Sequence, residues 1–489
     1  MKKTLLPLIP LLLLFSCAGN KEGSIELQST DDLAGLRVAT LAGSYYDMNL
    51  SPRDDISLQL YNADSDILQA LLNNKADVAV DDEVVFNAEI RKEYNVKIAL
   101  RGKESFPTAF LFSKSNPELS SACTAVQRRM EEDGTMQRLK DFWLTDRYAQ
   151  EKQFTHIPEE SSGEPLRVAT ATANAPISFQ VNGEWYGLEI DILRELAKEL
   201  NRPIEIKYYG ASSALLAVNT GLADVLCGCI FITPERERDF LFSECYHQYH
   251  SAYFVMDREA QAQVGSFFQE FMDDLHQNLI QENRWKYITG GLWETIKISL
   301  LAILLGSLLG VGLYCMTRSR KAWVRGIAGA YNGFMDGIPE LVLLLILFYV
   351  VFAKTNIAAD MVAVIAFALF FAAGSAGIYA TSLDAIPRGQ TEAGLALGFT
   401  RAQTFFHIIL PQALRRGIPL YKGQCVAILK GTSIVGYIAI QDLTRAGDII
   451  RSRSFDALVP LLVVTLLYFL LVWAMGEVLK LASPKKKVL

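Results

Sequence analysis

The chain has 489 residues, 51% of them hydrophobic and 20% charged, with 47 Lys and Arg against 53 Asp and Glu for a net charge of −6. So apolar a composition excludes a disordered chain and argues against an all-soluble one, the length allows about three domains, and the acidic balance excludes nucleic acid as an obvious partner. The charge is unevenly spread: residues 289–489 hold 19 basic and 10 acidic side chains, which leaves 28 and 43 in residues 1–288, so an acidic part at −15 precedes a basic, apolar part at +9.

Met1-Lys2-Lys3 followed by the apolar run Leu5–Phe15 has the layout of a secretory signal, here residues 1–17. Its ending, Leu14-Phe15-Ser16-Cys17, resembles a bacterial lipobox, which implies cleavage before Cys17 and lipid on its sulfur; the alternatives are a plain anchor or a conventional cleavage that leaves Cys17 free. Either way, the region after Cys17 is expected to be exported. Of the seven cysteines, Cys227 and Cys229 sit in a strand-like apolar run with no second pair at zinc spacing, so buried thiols are expected and no metal or cofactor. His247 and His250 read as surface or hinge residues.

Leu36-Arg37-Val38-Ala39-Thr40 recurs as Leu166-Arg167-Val168-Ala169-Thr170, and each copy is followed, after a helical pattern, by an Ala-Asp-Val strand at Ala76-Asp77-Val78 and Ala223-Asp224-Val225. Strands alternating with helices predict two α/β units with parallel sheets. The polar stretch 151–165 between them predicts a loop.

These residues resemble the extracellular solute-binding proteins for polar amino acids. The run from Leu166 through Asn174 and Thr233-Pro234-Glu235-Arg236 to Tyr246 is similar to one lobe, and the run from Asp32 through Asp77 to Leu144 is similar to the other. The resemblance implies a two-lobed α/β receptor with lobe 2 at 27–148, a linker at 149–164 and lobe 1 at 165–256. That order is the reverse of the family's and implies a circularly permuted receptor, whose old termini are joined by a linker able to extend roughly 50 Å; the alternative is half-receptors that pair with those of a second chain. A free amino acid carries a carboxylate and an ammonium. The resemblance assigns Arg236 to the carboxylate and Asp82 to the ammonium, with Gly43 and Ser44 offering N–H and hydroxyl groups, and it brings Thr233, Asn174 and Phe231 to the same site. Phe231 stands where the family has a hydroxyl residue, and Asn174 where an aromatic is expected.

Residues 257–288 are expected to link this region to a membrane domain at 289–482, with Phe267, Phe268, Phe271 and Leu275 at roughly helical spacing. Three uncharged stretches, Ile298–Thr317, Met361–Leu383 and Ala457–Gly476, each suit a span of a core about 30 Å thick. Interrupted candidates at about 334–353 and 418–440 bring the count to five, so the exported first half places the C-terminus and its Lys485-Lys486-Lys487 inside. Ionisable and hydroxyl residues within spans, Glu340, Lys430, Thr432 and Ser433, are candidates for the translocation path.

Glu392-Ala393-Gly394, then Gly398 and Ile408-Ile409-Leu410-Pro411, resemble the EAA loop of ABC-transporter permeases, with Gly394 in place of the second Ala; the flanking sequence is similar to the polar amino acid uptake permeases. The resemblance implies a coupling helix, with Glu392, Ala393 and Gly398, that docks on a cytoplasmic ATPase. A helix starting near Glu392 would favour a carboxylate in its first turn. No GxxxxGK[ST] occurs in the sequence, so the ATPase is expected on another polypeptide and the chain is not expected to be an enzyme. The reading is therefore a receptor-plus-permease subunit for amino acids in a bacterial inner membrane, pairing with itself or with a second permease. The alternative is a ligand-gated channel, since Thr432-Ser433-Ile434-Val435-Gly436-Tyr437-Ile438 echoes a potassium filter but has Ile438 where the second Gly belongs.

Overall fold

The computed structural model describes residues 25–481 except 146, 149–160, 162, 173, 182, 210, 258–271, 273, 281, 282, 354, 356 and 455. The signal segment with Cys17, most of the 149–164 linker, Phe267, Phe268, Phe271 and Lys485–Lys487 lie outside the described residues.

The α/β half begins with β1 (Arg37–Leu41), α1 (Tyr45–Leu50), β2 (Ser57–Tyr61), α2 (Asp64–Leu72), β3 (Val78–Asp82), α3 (Ala88–Glu93) and the long β4 (Val96–Thr108). It continues with β5 (Leu111–Ser113), α4 (Pro117–Glu132) and α5 (Thr135–Trp143). After the linker come β6 (Leu166–Thr170), β7 (Phe179–Val181), β8 (Glu184–Tyr186), α6 (Leu188–Glu199), β9 (Ile204–Tyr208), α7 (Ala211–Asn219), β10 (Val225–Cys227), α8 (Pro234–Asp239), β11 (Phe240–Phe242) and β12 (His247–Met256).

Two five-stranded sheets result, in the orders β2-β1-β3-β12-β4 and β11-β5-β10-β6-β9. In each, the repeated strand lies parallel to its neighbours, β1 to β2 and β3, and β6 to β9 and β10. The repeat has a physical basis. Arg37 grips Asp77 through Nε and Nη2 at 3.0 and 2.7 Å, and Arg167 grips Asp224 in the same way at 3.4 and 2.6 Å. Each Asp also accepts the N–H of its own Arg, so one forked ion pair pins the starts of two neighbouring strands in both lobes.

The lobes do not divide at the linker. β12 runs antiparallel between β3 and β4 in the first sheet, although it is the last strand in sequence. Conversely β5 lies in the second sheet, where α4 and α5 pack on α6: Arg129 bonds Glu199 at 2.5 Å and Trp143 Nε1 donates to Asp191 at 2.8 Å. The chain therefore crosses twice between lobes, at 109–110 and 243–246, and both lobes are completed within one chain. His247 and His250 sit on β12, where burial pushes His247 down to about 4.

The helical half comprises α9 (Trp285–Thr317), α10 (Ala322–Gly337), α11 (Glu340–Ile346), α12 (Ala359–Asp384), α13 (Arg388–Ala396), α14 (Arg401–Thr404), α15 (Leu410–Gly431), α16 (Leu443–Ser454) and α17 (Leu458–Leu481). α9, α12 and residues 458–480 of α17 are each long and apolar enough to cross a membrane. α12 is the central helix, and α9 lies against it. The approach is close because Gly306 and Gly310, one turn apart, face α12: a Cβ would lie 2.8 Å from the Ala368 carbonyl at the first and 3.1 Å from that of Ala372 at the second.

The 334–353 stretch is interrupted, as expected, by a sharp break. α10 stops at Gly337, Ile338 is extended, and α11 starts after Pro339, the two helices meeting at 107°. Proline has no N–H to continue a helix and forces its predecessor out of the helical region. At the other interrupted site, residues 401–438 run on with a π-helical turn at Phe405–Ile409 and a 3₁₀ segment at Thr432–Ile438, then bend by 52° into α16.

Candidate ligand-binding site and coupling element

The lobes face one another around a cavity of roughly 90 Å³, about six waters' worth of space. From the first lobe it is lined by residues including Gly43, Ser44, Tyr46, Asp64, Asp81 and Asp82, and from the second by Thr172, Asn174, Ile177, Tyr208, Phe231 and Arg236. The lobes are shut on each other. The Asn174 amide donates to Asp64, the Arg236 guanidinium reaches the Gly43 carbonyl at 3.4 Å, and the Phe231 ring meets those of Tyr45 and Tyr46 edge-on at about 6 Å.

Arg236 and Asp82, the two residues expected to hold an amino acid's charged groups, both line the cavity. α8 presents Arg236: Thr233 caps the helix, its Oγ1 accepting the Arg236 N–H, and Pro234 opens the first turn. The guanidinium also donates to the Phe231 carbonyl, and among the described residues it faces no carboxylate within ion-pair distance. Thr233 thus acts from behind the wall and does not line the cavity. Asp82 ends β3 and accepts the Tyr46 hydroxyl at 2.5 Å through Oδ1.

The Gly43–Ser44 turn departs from expectation. The Gly43 N–H is taken by the Asp47 carboxylate at 2.8 Å, and Ser44 Oγ caps α1 by accepting the Asp47 N–H. A helix that needs its own cap leaves only the Ser44 hydroxyl proton for a ligand. Residues beyond those read from sequence complete the wall. Asp81 and Asp64 are buried there, and among the described residues Asp81 Oδ2 has no hydrogen-bond partner. Burial raises both above the ordinary carboxylate range, as it does Asp82. The Asp81-Asp82 doublet at the end of the Ala-Asp-Val strand was the available signal. Behind the turn at Cys229, buried Glu189 accepts the N–H groups of Gly228 and Cys229 at 2.6 and 2.8 Å and the Tyr246 hydroxyl, fixing the second lobe's contribution.

A second, larger cavity of about 340 Å³ separates the lobes from the helical half, and it shares Gly43, Asn62, Ala63, Tyr208 and Ser452 with the first. α16 supplies most of the contact. Arg451 pairs with Asp66 of the first lobe at 2.5 Å, Arg445 lies 4.1 Å over the Tyr208 ring of the second, and the Ser454 carbonyl accepts the Tyr94 hydroxyl. Of the four candidates for the path, Ser433 lines this larger cavity. Thr432 does not: its hydroxyl turns back to the Leu429 carbonyl at 2.8 Å. Glu340 lies against Gly431, where a Cβ would sit 2.8 Å from its Oε2, and Lys430 is exposed. Residues 432–438 form a 3₁₀ helix, so their carbonyls are turned along the chain and do not ring a pore as a filter requires.

At the far end, α13 begins at Arg388 after Pro387, so Glu392 lies mid-helix and not in the first turn. Proline's fixed φ starts the helix four residues earlier than the acidic residue suggested. Gly398, at φ +86°, closes it in a Schellman turn: the Phe399 N–H meets the Gly394 carbonyl and the Gly398 N–H that of Leu395. Thr400 and Gln403 then cap α14 reciprocally. The glycine at 394 has a packing reason, because a Cβ there would lie 2.6 Å from Thr404 Cγ2. Glu392 and Ala393 are exposed on this helix, beside exposed Leu395, Leu397, Phe399 and Phe406.

A profile of the bacterial extracellular solute-binding proteins, family 3, matches residues 166–404. The L-cystine transport system permease protein TcyB of Bacillus subtilis (strain 168) is 33% identical over 181 residues, 37% of this chain and 77% of that protein. The glutamate/aspartate import permease protein GltK of Escherichia coli O157:H7 is 33% identical over 195 residues, 38% of this chain and 87% of that one. Among solved structures, a crystal structure of an amino acid ABC transporter with histidines is 28% identical and matches 45% of this chain and 99% of its own with a TM-score of 0.38. Taken with the apolar helices, the capped loop at 387–411 and the two-lobed cleft, the profile match and the two permease relatives lead to one conclusion: the chain belongs to the amino-acid ABC transporter permeases and carries a family 3 solute-binding region on the same polypeptide.

Proposed function

We propose that this protein is the receptor and the membrane passage of an ATP-driven amino-acid importer, energised by a separate ATPase. The observation that carries the proposal is the joining of a shut two-lobed cleft to a permease through α16, with the two cavities sharing walls. In this reading Arg236 holds the ligand carboxylate and Asp82 its ammonium. The closed receptor sits on the helical half, and α13, with Glu392, Ala393 and Gly398, docks in the ATPase. Force applied there parts the permease helices, and solute passes from the cleft into the larger cavity and on past Ser433. The receptor lies on the outer face, so five crossings put the C-terminus in the cytoplasm, and two permeases pair around the path. The reversed order of the lobe segments and their two crossings support a permuted receptor.

Tethering replaces diffusional encounter with a high effective concentration of receptor. Proteoliposomes holding this chain and its ATPase should therefore take up amino acid with no soluble binding protein added. A strict need for such a protein would overturn the proposal.

A further inference from the structure

This inference rests on the amino-acid reading of the cleft and narrows it. Among the described residues, the charged side chains lining the cavity are Asp64, Asp81, Asp82 and Arg236. A zwitterionic ligand satisfies Arg236 with its carboxylate and one acid with its ammonium, which leaves two carboxylates uncompensated. Their partners are neutral: the Tyr46 hydroxyl for Asp82, the Asn174 amide for Asp64, and the Asp82 N–H at 2.8 Å for Asp81 Oδ1. Asp81 is 5% exposed, and its other oxygen is buried with no hydrogen-bond partner among the described residues. A carboxylate held in so dry a place is unfavourable unless a positive group meets it. The three acids converge from two elements, Asp81 and Asp82 at the end of β3 and Asp64 at the start of α2, and Asn174 of the opposite lobe closes over Asp64.

We propose that the cleft selects an amino acid whose side chain carries a second positive charge, received by Asp81 Oδ2 and Asp64 while Arg236 and Asp82 hold the α-carboxylate and α-ammonium. The two α-group residues would then be common to any amino acid, and Asp64 and Asp81 would set the choice among them.

The test is calorimetric titration of the full-length protein in detergent with lysine, arginine, glutamine and glutamate at neutral pH. Lysine or arginine should bind at least tenfold more tightly than glutamine, with glutamate weakest. Asp81→Asn should bring lysine and glutamine to within about threefold of each other, chiefly by loss of lysine affinity. Asp64→Asn is the second variant should the first fail to fold, and the wild-type ranking alone already decides. Glutamine or glutamate binding as tightly as lysine and arginine overturns the selectivity while leaving the amino-acid reading intact. Binding of none of the four overturns that reading and the selectivity with it.

Discussion

Among the described residues Arg236 is the one cation on a cavity wall whose other charged side chains are acids, and its guanidinium is held by two carbonyls and no carboxylate. A charge-assisted hydrogen bond contributes about 1.5–3 kcal/mol, so Arg236→Ala should weaken amino-acid binding at least tenfold in titration while the melting curve of the unliganded protein stays within a few degrees. The acids set a pH dependence. Burial, reinforced by mutual repulsion, raises Asp81 above the usual carboxylate range; burial likewise raises Asp64 and Asp82, against the opposing hydrogen bonds from Asn174 and Tyr46. Tyr46, Tyr249 and Cys229 nearby are raised too, again first by burial, and stay neutral, and Arg236 stays charged. A raised folded-state value means the folded protein holds more protons than the unfolded one above about pH 4. The ligand-free protein should therefore lose melting temperature as pH climbs from that point through the raised values, more steeply than Asp81→Asn does, and a cationic ligand, which competes with protons, should bind more tightly over the same range. A wild-type slope no steeper than the variant's would count against the role of Asp81. That Arg236 and Asp82 reach the cleft was legible through the resemblance to solute-binding proteins, which sets them at fixed offsets from Thr233 and Asp77. Asp64 was not, since only the closure of Asn174 onto it brings the first turn of α2 into the cleft.

Among the elements, α16 does what no periodicity announces. It holds Arg445, Arg451 and Arg453 with Asp448, and Asp442 and Asp456 flank it, so by sequence the stretch near 441–456 has no long apolar run and passes for an outer loop. Folded, it carries Arg451 to one lobe and Arg445 to the other, contacts that are made together with the lobes shut. Arg451→Asp should lower amino-acid-stimulated ATP hydrolysis by the reconstituted complex several-fold, and adding Asp66→Arg should recover most of it; no recovery would argue against the pair as a docking contact. The helix–turn–helix at 387–411 was legible through its resemblance to the EAA loop, carried by Glu392, Gly398 and Pro411, yet the helix start was misplaced because Pro387 outweighs a favourable carboxylate. Gly394→Val sets a branched side chain against Thr404 and should cut uptake at least tenfold while leaving amino-acid binding at the wild-type level, measured on the same preparation. Binding lost together with uptake would mean the substitution disturbs the fold as a whole and not α13 alone.

Over the whole molecule, the two-part architecture of α/β cleft and apolar helices was readable from charge, hydropathy and the repeated Leu-Arg-Val-Ala-Thr strands, whose Arg–Asp forks give the repeat its physical cause. The lobe boundaries were not, because strand exchange hides in sequence: β12 belongs to the sheet begun by β1, and α4 and α5 to the lobe begun by β6. Since both lobes are completed within one chain, amino-acid affinity should not change with protein concentration across a hundredfold dilution, whereas a cleft shared between chains would weaken on dilution.

The grip of α16 on both lobes also bears on the repertoire of the system. With that perch already occupied by a lodger of the same gene product, a stray binding protein drifting past finds no vacancy, so new cargoes cannot be recruited by borrowing another captor. Diet and doorway are inherited together, and a change of menu has to be written into the wall of the cleft itself.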